Sequence, residues 1–319
     1  MIERDPRVRD HFLVLEPRES FGEYARAYGD ALAEHYEDRG VIVIPQMPIR
    51  CDLDAVREVV FPPQWKKIGS VNRIEEPVVR RRGGAFEVDE THPFVQHFRN
   101  VKLSMYLQSQ IAAFDAQLRH GLSVLFPRYR SMRTLNITWR LLETAREGMH
   151  LDVFEGGRPL AAPIRSSLRV KIFINIDLEP RRWRTSLDLP AILSAGRGKL
   201  PQELADDLNV VNGVIDRFGV LETLPAHSVQ YGTMSAVLVN AEVVAHEVVY
   251  GRRMVAGEFA VEARDMLDPR KLSHASLRGW LADNGYAISA DSGAVYQRHA
   301  HLKGLYQRLQ EARAAGAGD

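Results

Sequence analysis

Apolar positions along the chain change their spacing partway through. In residues 18–39, Phe21, Tyr24, Ala25, Tyr28, Leu32 and Ala33 recur at helical intervals, Ser20 can cap the run, and Gly40 closes it. Residues 41–44 then read as a short buried strand stopped by Pro45, and 53–60 as a second helix ending before Pro62-Pro63. The stretch 65–90 is polar and broken. Between 93 and 126 the helical stripe returns through Val101, Met105, Ile111, Phe114, Leu118 and Leu122, and Pro127 ends it. The first 130 residues therefore predict a mostly helical layer that braces something else.

That something is β-rich. Leu135, Ile137, Trp139 and Leu141 alternate with Asn136, Thr138 and Arg140. The clearest alternation runs from 168 to 177, with Leu168, Val170, Ile172, Ile174 and Ile176 on one face and Arg169, Lys171, Phe173, Asn175 and Asp177 on the other. Such a strand has a core behind it and water or a ligand in front. Segments 219–224, 235–240, 243–250 and 254–263 predict further strands, which together suggest a sandwich or barrel. Of these architectures the cupin-like jelly roll commonly holds a metal in its mouth. Helical spacing resumes over 273–283 and 293–313, and 314–319 reads as a frayed end. The pattern gives an α+β chain with three regions in one integrated domain: helical 1–130, a β core over 131–265, and a helical extension over 266–319.

Composition excludes more than it selects. A net charge of +1 gives no reason to expect nucleic acid or an anionic membrane as partner, and no apolar run approaches a membrane span. The first residues lack a signal-peptide core, and the single cysteine, Cys51, fits a reducing cytoplasm. The expected partner is a small molecule; oligomeric state is not encoded legibly. Lysine is scarce, which makes Lys171 on the polar face of the best-defined strand more informative than any one arginine. Arg80-Arg81-Arg82-Gly83-Gly84 reads as a solvated loop, with a basic lid as the sharper alternative.

Candidate chemistry centres on His150-Leu151-Asp152. In a strand, positions i and i+2 share a face, so one ion could take both side chains. His246 follows the apolar run 235–240, and two imidazoles with one carboxylate form the facial set of non-haem Fe(II) oxygenases. His299 and His301, also two apart, lie in a helical pattern that turns them to different faces and makes a shared metal unfavourable.

Further stretches extend the pattern in order: Phe126-Pro127-Arg128-Tyr129-Arg130, Thr138-Trp139-Arg140, His150-Leu151-Asp152-Val153-Phe154, Lys171-Ile172-Phe173-Ile174-Asn175, Pro180-Arg181-Arg182-Trp183 and the turn-strand-His246 unit. On these, residues 122–263 resemble the Kdo 3-hydroxylase family, Fe(II)- and 2-oxoglutarate-dependent enzymes of lipopolysaccharide inner-core sugar modification. The resemblance implies a double-stranded β-helix, iron held by His150, Asp152 and His246, and 2-oxoglutarate and O₂ as co-substrates. Hydroxylation of an unactivated C–H bond in a polar small molecule or sugar, with release of succinate and CO₂, is the implied reaction. The retained carboxylate of Asp152 favours hydroxylation over halogenation. Desaturation or cyclisation by the same iron chemistry is not separable by sequence, and a cupin-like binder without turnover is the alternative of another class.

Three departures stand out. Glu247 follows the distal histidine where a small residue is expected, the last 55 or so residues have no counterpart, and the N-terminal third matches only in outline. Many relatives place an Arg about ten residues after the distal histidine, but 254–258 reads Met-Val-Ala-Gly-Glu. The expected anchor for the far carboxylate of 2-oxoglutarate is therefore Lys171, with Arg169 and then Arg252 behind it, as a point charge or a bidentate clamp respectively. Asn175 is a candidate to hydrogen-bond the co-substrate or the iron-bound carboxylate, and Arg140, Arg182, Trp183 and Arg184 are candidates for substrate contact.

Overall fold

The computed structural model describes residues 1–300 except 66, 70–73, 75 and 155–157. Its strands, in chain order, are β1 (Ile2–Glu3), β2 (Phe12–Val14), β3 (Val41–Ile44), β4 (Lys67–Gly69), β5 (Val79–Arg82), β6 (Ala85–Val88), β7 (Arg133–Arg140), β8 (Thr144–Ala145), β9 (Ser167–Asn175), β10 (Arg181–Asp188), β11 (Glu203–Ala205), β12 (His227–Tyr231), β13 (Ala236–Val239), β14 (Val244–Gly251), β15 (Met254–Glu262) and β16 (Ala287–Ser289). Helices α1 (Phe21–Tyr28), α2 (Ala31–Glu37), α3 (Leu53–Glu58), α4 (Pro93–Phe98) and α5 (Val101–Leu125) precede β7. Helices α6 (Ala162–Arg165), α7 (Leu189–Ala195), α8 (Leu208–Arg217), α9 (Ser273–Asp283) and α10 (Ser292–Ala300) follow it.

Strand β9 is the middle of a seven-stranded sheet ordered β2-β3-β13-β9-β15-β7-β4. A second sheet of five strands runs β1-β12-β10-β14-β8. The aliphatic face of β9 joins one core with Ile42, Ile44, Leu238 and Val255 from the same sheet and with Tyr24, Leu32, Ile111, Phe114 and Leu118 from the helices. Each such buried aliphatic side chain contributes roughly 1.5–3 kcal/mol. The opposite face of the large sheet shares a second core with the small sheet: Val41, Val43, Val237 and Val239 meet Trp183, Val229, Tyr231, Val244 and Val248. Helices α7 to α10 close that core through Leu189, Ile192, Val211, Leu277 and Val295. The large sheet is thus covered on both sides, by helices behind and by the small sheet in front, and the polar face of β9 looks into the space between sheets.

Several elements differ from the sequence pattern for identifiable reasons. The helix over 18–39 is two helices, because Gly29 adopts φ +52 between α1 and α2. The long helix over 93–126 breaks at Arg99, at φ +50, and restarts with Asn100 as a cap for α5. Residues 219–224 form turns instead of a strand. Strand β10 was not expected, since its buried positions are Arg181, Trp183, Thr185 and Ser186, without the aliphatic alternation that marks a core strand. Helices α7 and α8 were not expected either. The arginine-rich stretch is a solvent-facing hairpin, β5–β6, turning on Gly83 and Gly84 at φ +54 and +91, which suits a two-residue turn. The helix expected over 293–313 is present as α10; its remainder, His301 and the tail 314–319 lie outside the described residues.

Trimming Ile172, fully buried on the helix-facing side of β9, should lower stability by about 2–5 kcal/mol in Ile172→Ala. Denaturant unfolding followed by circular dichroism measures this, and a loss under about 1 kcal/mol would mean that this face is not the main core.

Candidate metal centre

His246 sits on β14, buried, and His150 faces it across an isolated antiparallel bridge. Each backbone N–H donates to the other's carbonyl at 2.9 Å. Directly opposed residues project to one face, so the rings lie together with centres 4.4 Å apart. Two residues on, the Asp152 N–H donates to the carbonyl of Ala241 at 2.8 Å, and the Asn212 side-chain amide donates to the Asp152 carbonyl at 3.2 Å. These bonds turn the Asp152 carboxylate back toward the histidines, with Oδ1 3.9 Å from His150 Nε2. Among the described residues, His150, Asp152 and His246 are the one group of His, Cys, Asp or Glu placed to share an ion, their ligand atoms lying within 4.8 Å of one another.

The donor chemistry fits a divalent metal. His150 Nδ1 donates to the Gly148 carbonyl at 2.8 Å and His246 Nδ1 to that of Val244 at 3.2 Å. Both rings therefore carry their proton on Nδ1 and keep the Nε2 lone pair free, the arrangement that ligand histidines use. Burial holds His246 down at about 3, so this imidazole is neutral. Burial alone would raise Asp152, but the charge of Lys171 and the hydrogen bond it donates outweigh it and hold the carboxyl well below its usual range. Lys171 Nζ is bonded directly to Asp152 Oδ2, which leaves Oδ1 as the free donor.

The remaining sequence candidates separate by strand parity. Lys171 is inside, but its ammonium is taken up by Asp152 between the rings of Phe154 and Phe173. Arg169 is also buried, bonded to Glu258 and stacked 4.3 Å over Phe154, with Glu242 at 3.9 Å. Asn175 spends its amide on backbone, donating to the carbonyls of Glu179 and Tyr231. Arg252 is 43% exposed in its side chain and faces Glu179 at 3.8 Å. Trp183 lines the interior, its ring centre 5.7 Å from that of His246. Its neighbours point the other way: Arg182 is exposed over Tyr250, and Arg184 pairs with Glu247 at 2.7 Å. That pairing accounts for Glu247, which is turned out of the site. Arg140 is half-buried and bonded to Glu147 at 2.7 Å. Sequence reasoning passed over Arg181, which is 1% exposed on the inward parity shared with Trp183; once Trp183 is taken as buried, a period of two would have selected it.

No protein-family model matches the chain, and no curated protein matches it in sequence. Its fold matches the crystal structure of the Kdo hydroxylase KdoO, a non-haem Fe(II) α-ketoglutarate-dependent dioxygenase, in complex with succinate and Fe(III), with a TM-score of 0.62. That match covers 88% of this chain and 98% of that one at 17% identity. The same hydroxylase with α-ketoglutarate and Fe(III) gives 0.61 over 87% and 97% at 16% identity, and its apo form gives 0.61 over 85% and 96% at 17%. The chain is similar in fold to that dioxygenase over 88% of its length, which extends beyond the residues 122–263 that carry the sequence resemblance.

The metal-free chain should lose stability on mild acidification. Burial depresses His246 to about 3 and His11 and His274 each to about 4. Each contributes stability that is complete above the unfolded value near 6.5 and is lost as pH falls toward its folded value. Glu242, pushed up to about 7 by burial, opposes them: its contribution is full below its ordinary range and is lost as pH rises through 7. The net is two protons taken up on unfolding between about pH 6.5 and 4.5, or at most about 3 kcal/mol per pH unit. Denaturant melts at pH 6.5 and 5.0 test the sign, and equal or greater stability at pH 5.0 would contradict it.

Proposed function

We propose that the chain is an Fe(II)- and 2-oxoglutarate-dependent dioxygenase that hydroxylates an unactivated C–H bond of a polar small molecule or sugar. The observation that carries this reading is the convergence of His150, Asp152 and His246 with both Nε2 lone pairs and one carboxylate oxygen free. The similarity in fold to the Kdo hydroxylase supports it, and so does the two-sheet arrangement, which we read as a double-stranded β-helix with the metal between its sheets. Both cores draw on residues from 1–130, 131–265 and 266–300, which supports one integrated domain.

The ion would be held by the two imidazoles and Asp152 Oδ1. With 2-oxoglutarate and O₂ bound, such a centre supplies the oxidising power for hydroxylation while the keto acid becomes succinate and CO₂. The chain's own work is ligation, orientation and exclusion of water. Lys171 fixes Asp152 by holding its second oxygen, and Trp183 and Phe173 wall the buried ring of His246. Asn136, Glu258 and Lys171 stand in one row across β7, β15 and β9. With Thr138 and Arg140 they offer a half-buried polar floor, which supports a polar substrate.

The test is uncoupled turnover of 2-oxoglutarate to succinate with Fe(II) and O₂. His150→Ala, Asp152→Ala and His246→Ala should each reduce it to background, the two histidine variants with melting temperatures close to that of the parent because they lie outside the aliphatic cores, and Asp152→Ala with a lower one because it leaves Lys171 without its anion. Near-normal turnover in any of the three removes that residue from the metal set. Lys171→Met should weaken Fe(II) binding by about 10–100-fold, the usual effect of losing a group that orients a ligand. Unchanged affinity in equilibrium metal titration would deny Lys171 that role.

A further inference from the structure

Helix α8 carries three buried polar side chains: Asp207 at its cap, and Asn209 and Asn212 within it, 0%, 2% and 1% exposed. Its other buried side chains, Leu208, Val210, Val211, Val214 and Ile215, belong to the second core. Asparagine is a poor residue for a helix interior, and a buried amide is costly unless its hydrogen bonds are made. Asn209 and Asn212 are three apart and so share one side of the helix. Their hydrogen bonds show what that side faces: Asp152 and the chain that follows it.

The Asn212 amide is a fork between two segments. Its Nδ2 donates to the Asp152 carbonyl at 3.2 Å and to the Glu242 carbonyl at 2.8 Å. The Asp152 N–H donates to the carbonyl of Ala241, the residue before Glu242, at 2.8 Å. Both backbone groups of Asp152 are therefore held, which fixes the direction of its Cα–Cβ bond and so the aim of its carboxylate. Asn212 Oδ1 is buried and completes no hydrogen bond. The amide cannot turn over to relieve it, because its oxygen would then face two carbonyls. The residue serves here as a pair of donors. Asn209 acts two residues further along the chain. Its Oδ1 accepts from the Phe154 N–H at 2.7 Å, and its Nδ2 donates to the carbonyls of Phe154 at 2.8 Å and Arg158 at 2.6 Å. Phe154, so held, places its ring centre 4.3 Å from the Arg169 guanidinium and 5.7 Å from the Lys171 ammonium, and Lys171 is the cation bonded to Asp152. Asp207 extends the attachment by accepting from the Leu160 N–H at 3.2 Å.

We propose that Asn212 and Asn209 are positioning residues for the metal centre, through which α8 sets the Asp152 carboxylate: Asn212 by holding the ligand's own backbone, Asn209 by way of Phe154 and Lys171. The proposal rests on the dioxygenase reading above. Neither asparagine is a ligand, since both spend their amides on backbone groups. They remove freedom from a carboxylate that has one oxygen on Lys171 and must offer the other to the ion. A ligand fixed before the ion arrives has less order to acquire on binding, and a loosened one binds more weakly. Asn212 bonds the ligand residue itself and so carries the larger share; Asn209 works through an aromatic wall and carries less. A purely structural role predicts another pattern, in which any loss of packing along α8 weakens the metal equally.

Anaerobic competition titration of Fe(II) against a coloured chelator tests this on the full chain, with the absorption spectrum of the Co(II)-loaded chain as a second reading of the coordination shell. Asn212→Leu is close in shape and removes both donors. It should weaken Fe(II) binding about 10–100-fold, equivalent to about 1.4–2.8 kcal/mol, and change the Co(II) spectrum. Asn209→Leu should weaken binding by at least about threefold and by less than Asn212→Leu. Val211→Ala is the control: Val211 is fully buried on the same helix, so its truncation lowers stability in the same place without removing a hydrogen bond to the site. Its Fe(II) affinity should stay within about twofold of wild type, with the Co(II) spectrum unchanged. Wild-type affinity in folded Asn212→Leu, or an equal loss in Val211→Ala, would overturn the proposal. Where Asn212→Leu does not fold, Asn209→Leu decides, and wild-type affinity there would overturn it as well. A wild-type chain that takes up no Fe(II) would bring down the dioxygenase reading itself, whereas uptake that Asn212→Leu leaves unchanged brings down only the positioning role.

Discussion

The ion pair between Lys171 and Asp152 sets the terms for the site. Two opposite charges lie between sheets, where removing them from water costs several kcal/mol for each ion, and their attraction offsets that cost only with good geometry. The geometry comes from long-range pairing. Lys171 is held in register with Val239 on one side and Glu258 on the other, and Asp152 is tied to Ala241 through its own N–H. Aliphatic packing behind β9 keeps the lysine facing the site, because a one-residue slip would turn Val170 and Ile172 into the polar space between the sheets and drive Arg169, Lys171 and Asn175 into the helix-facing core. The site's electrostatics therefore depend on the hydrophobic core on the opposite face of the same strand.

Buried polar groups in this protein fall into two kinds. Asp115 accepts from the Trp139 indole at 2.9 Å, Asp177 from Arg253, and Glu37 from Tyr129 and the backbone N–H groups of Leu267 and Asp268. These are closed networks that lock helices and loops to the sheets. The interior face around His246 differs, with free Nε2 lone pairs on one side and the unsatisfied Arg181–Tyr231–Thr144 row on the other. Unpaired buried donors lower stability wherever they occur. Their concentration along one lining, between sheets otherwise filled by valine and leucine, marks a region where the fold gives up stability.

The similarity in fold at 17% identity is consistent with this division. Aliphatic residues in alternating or helical register can be exchanged for one another while the layers persist. Elements without a simple period, such as β10 with its inward Arg, Trp and Thr, are set by what they face.

The sequence by itself determined the two faces of β9, the helical stripe of α5 and the His150, Asp152 and His246 candidates, because period-two and period-3.6 patterns and a local His-x-Asp are properties of neighbouring residues. The prediction of a core behind β9 and a polar site in front follows from that alternation and agrees with the layers. What the sequence could not decide was which cation is spoken for. Lys171 and Arg181 are both lysine-or-arginine positions on inward strand faces, and nothing local distinguishes them. Only the tertiary structure brings Asp152 to Lys171 and leaves Arg181 beside Gly251 with no anion, since each relation joins residues 19 to 70 positions apart in the chain. Hydrogen-bond satisfaction is a property of the assembled interior, and there the partner of a buried charge is fixed by register and not by composition.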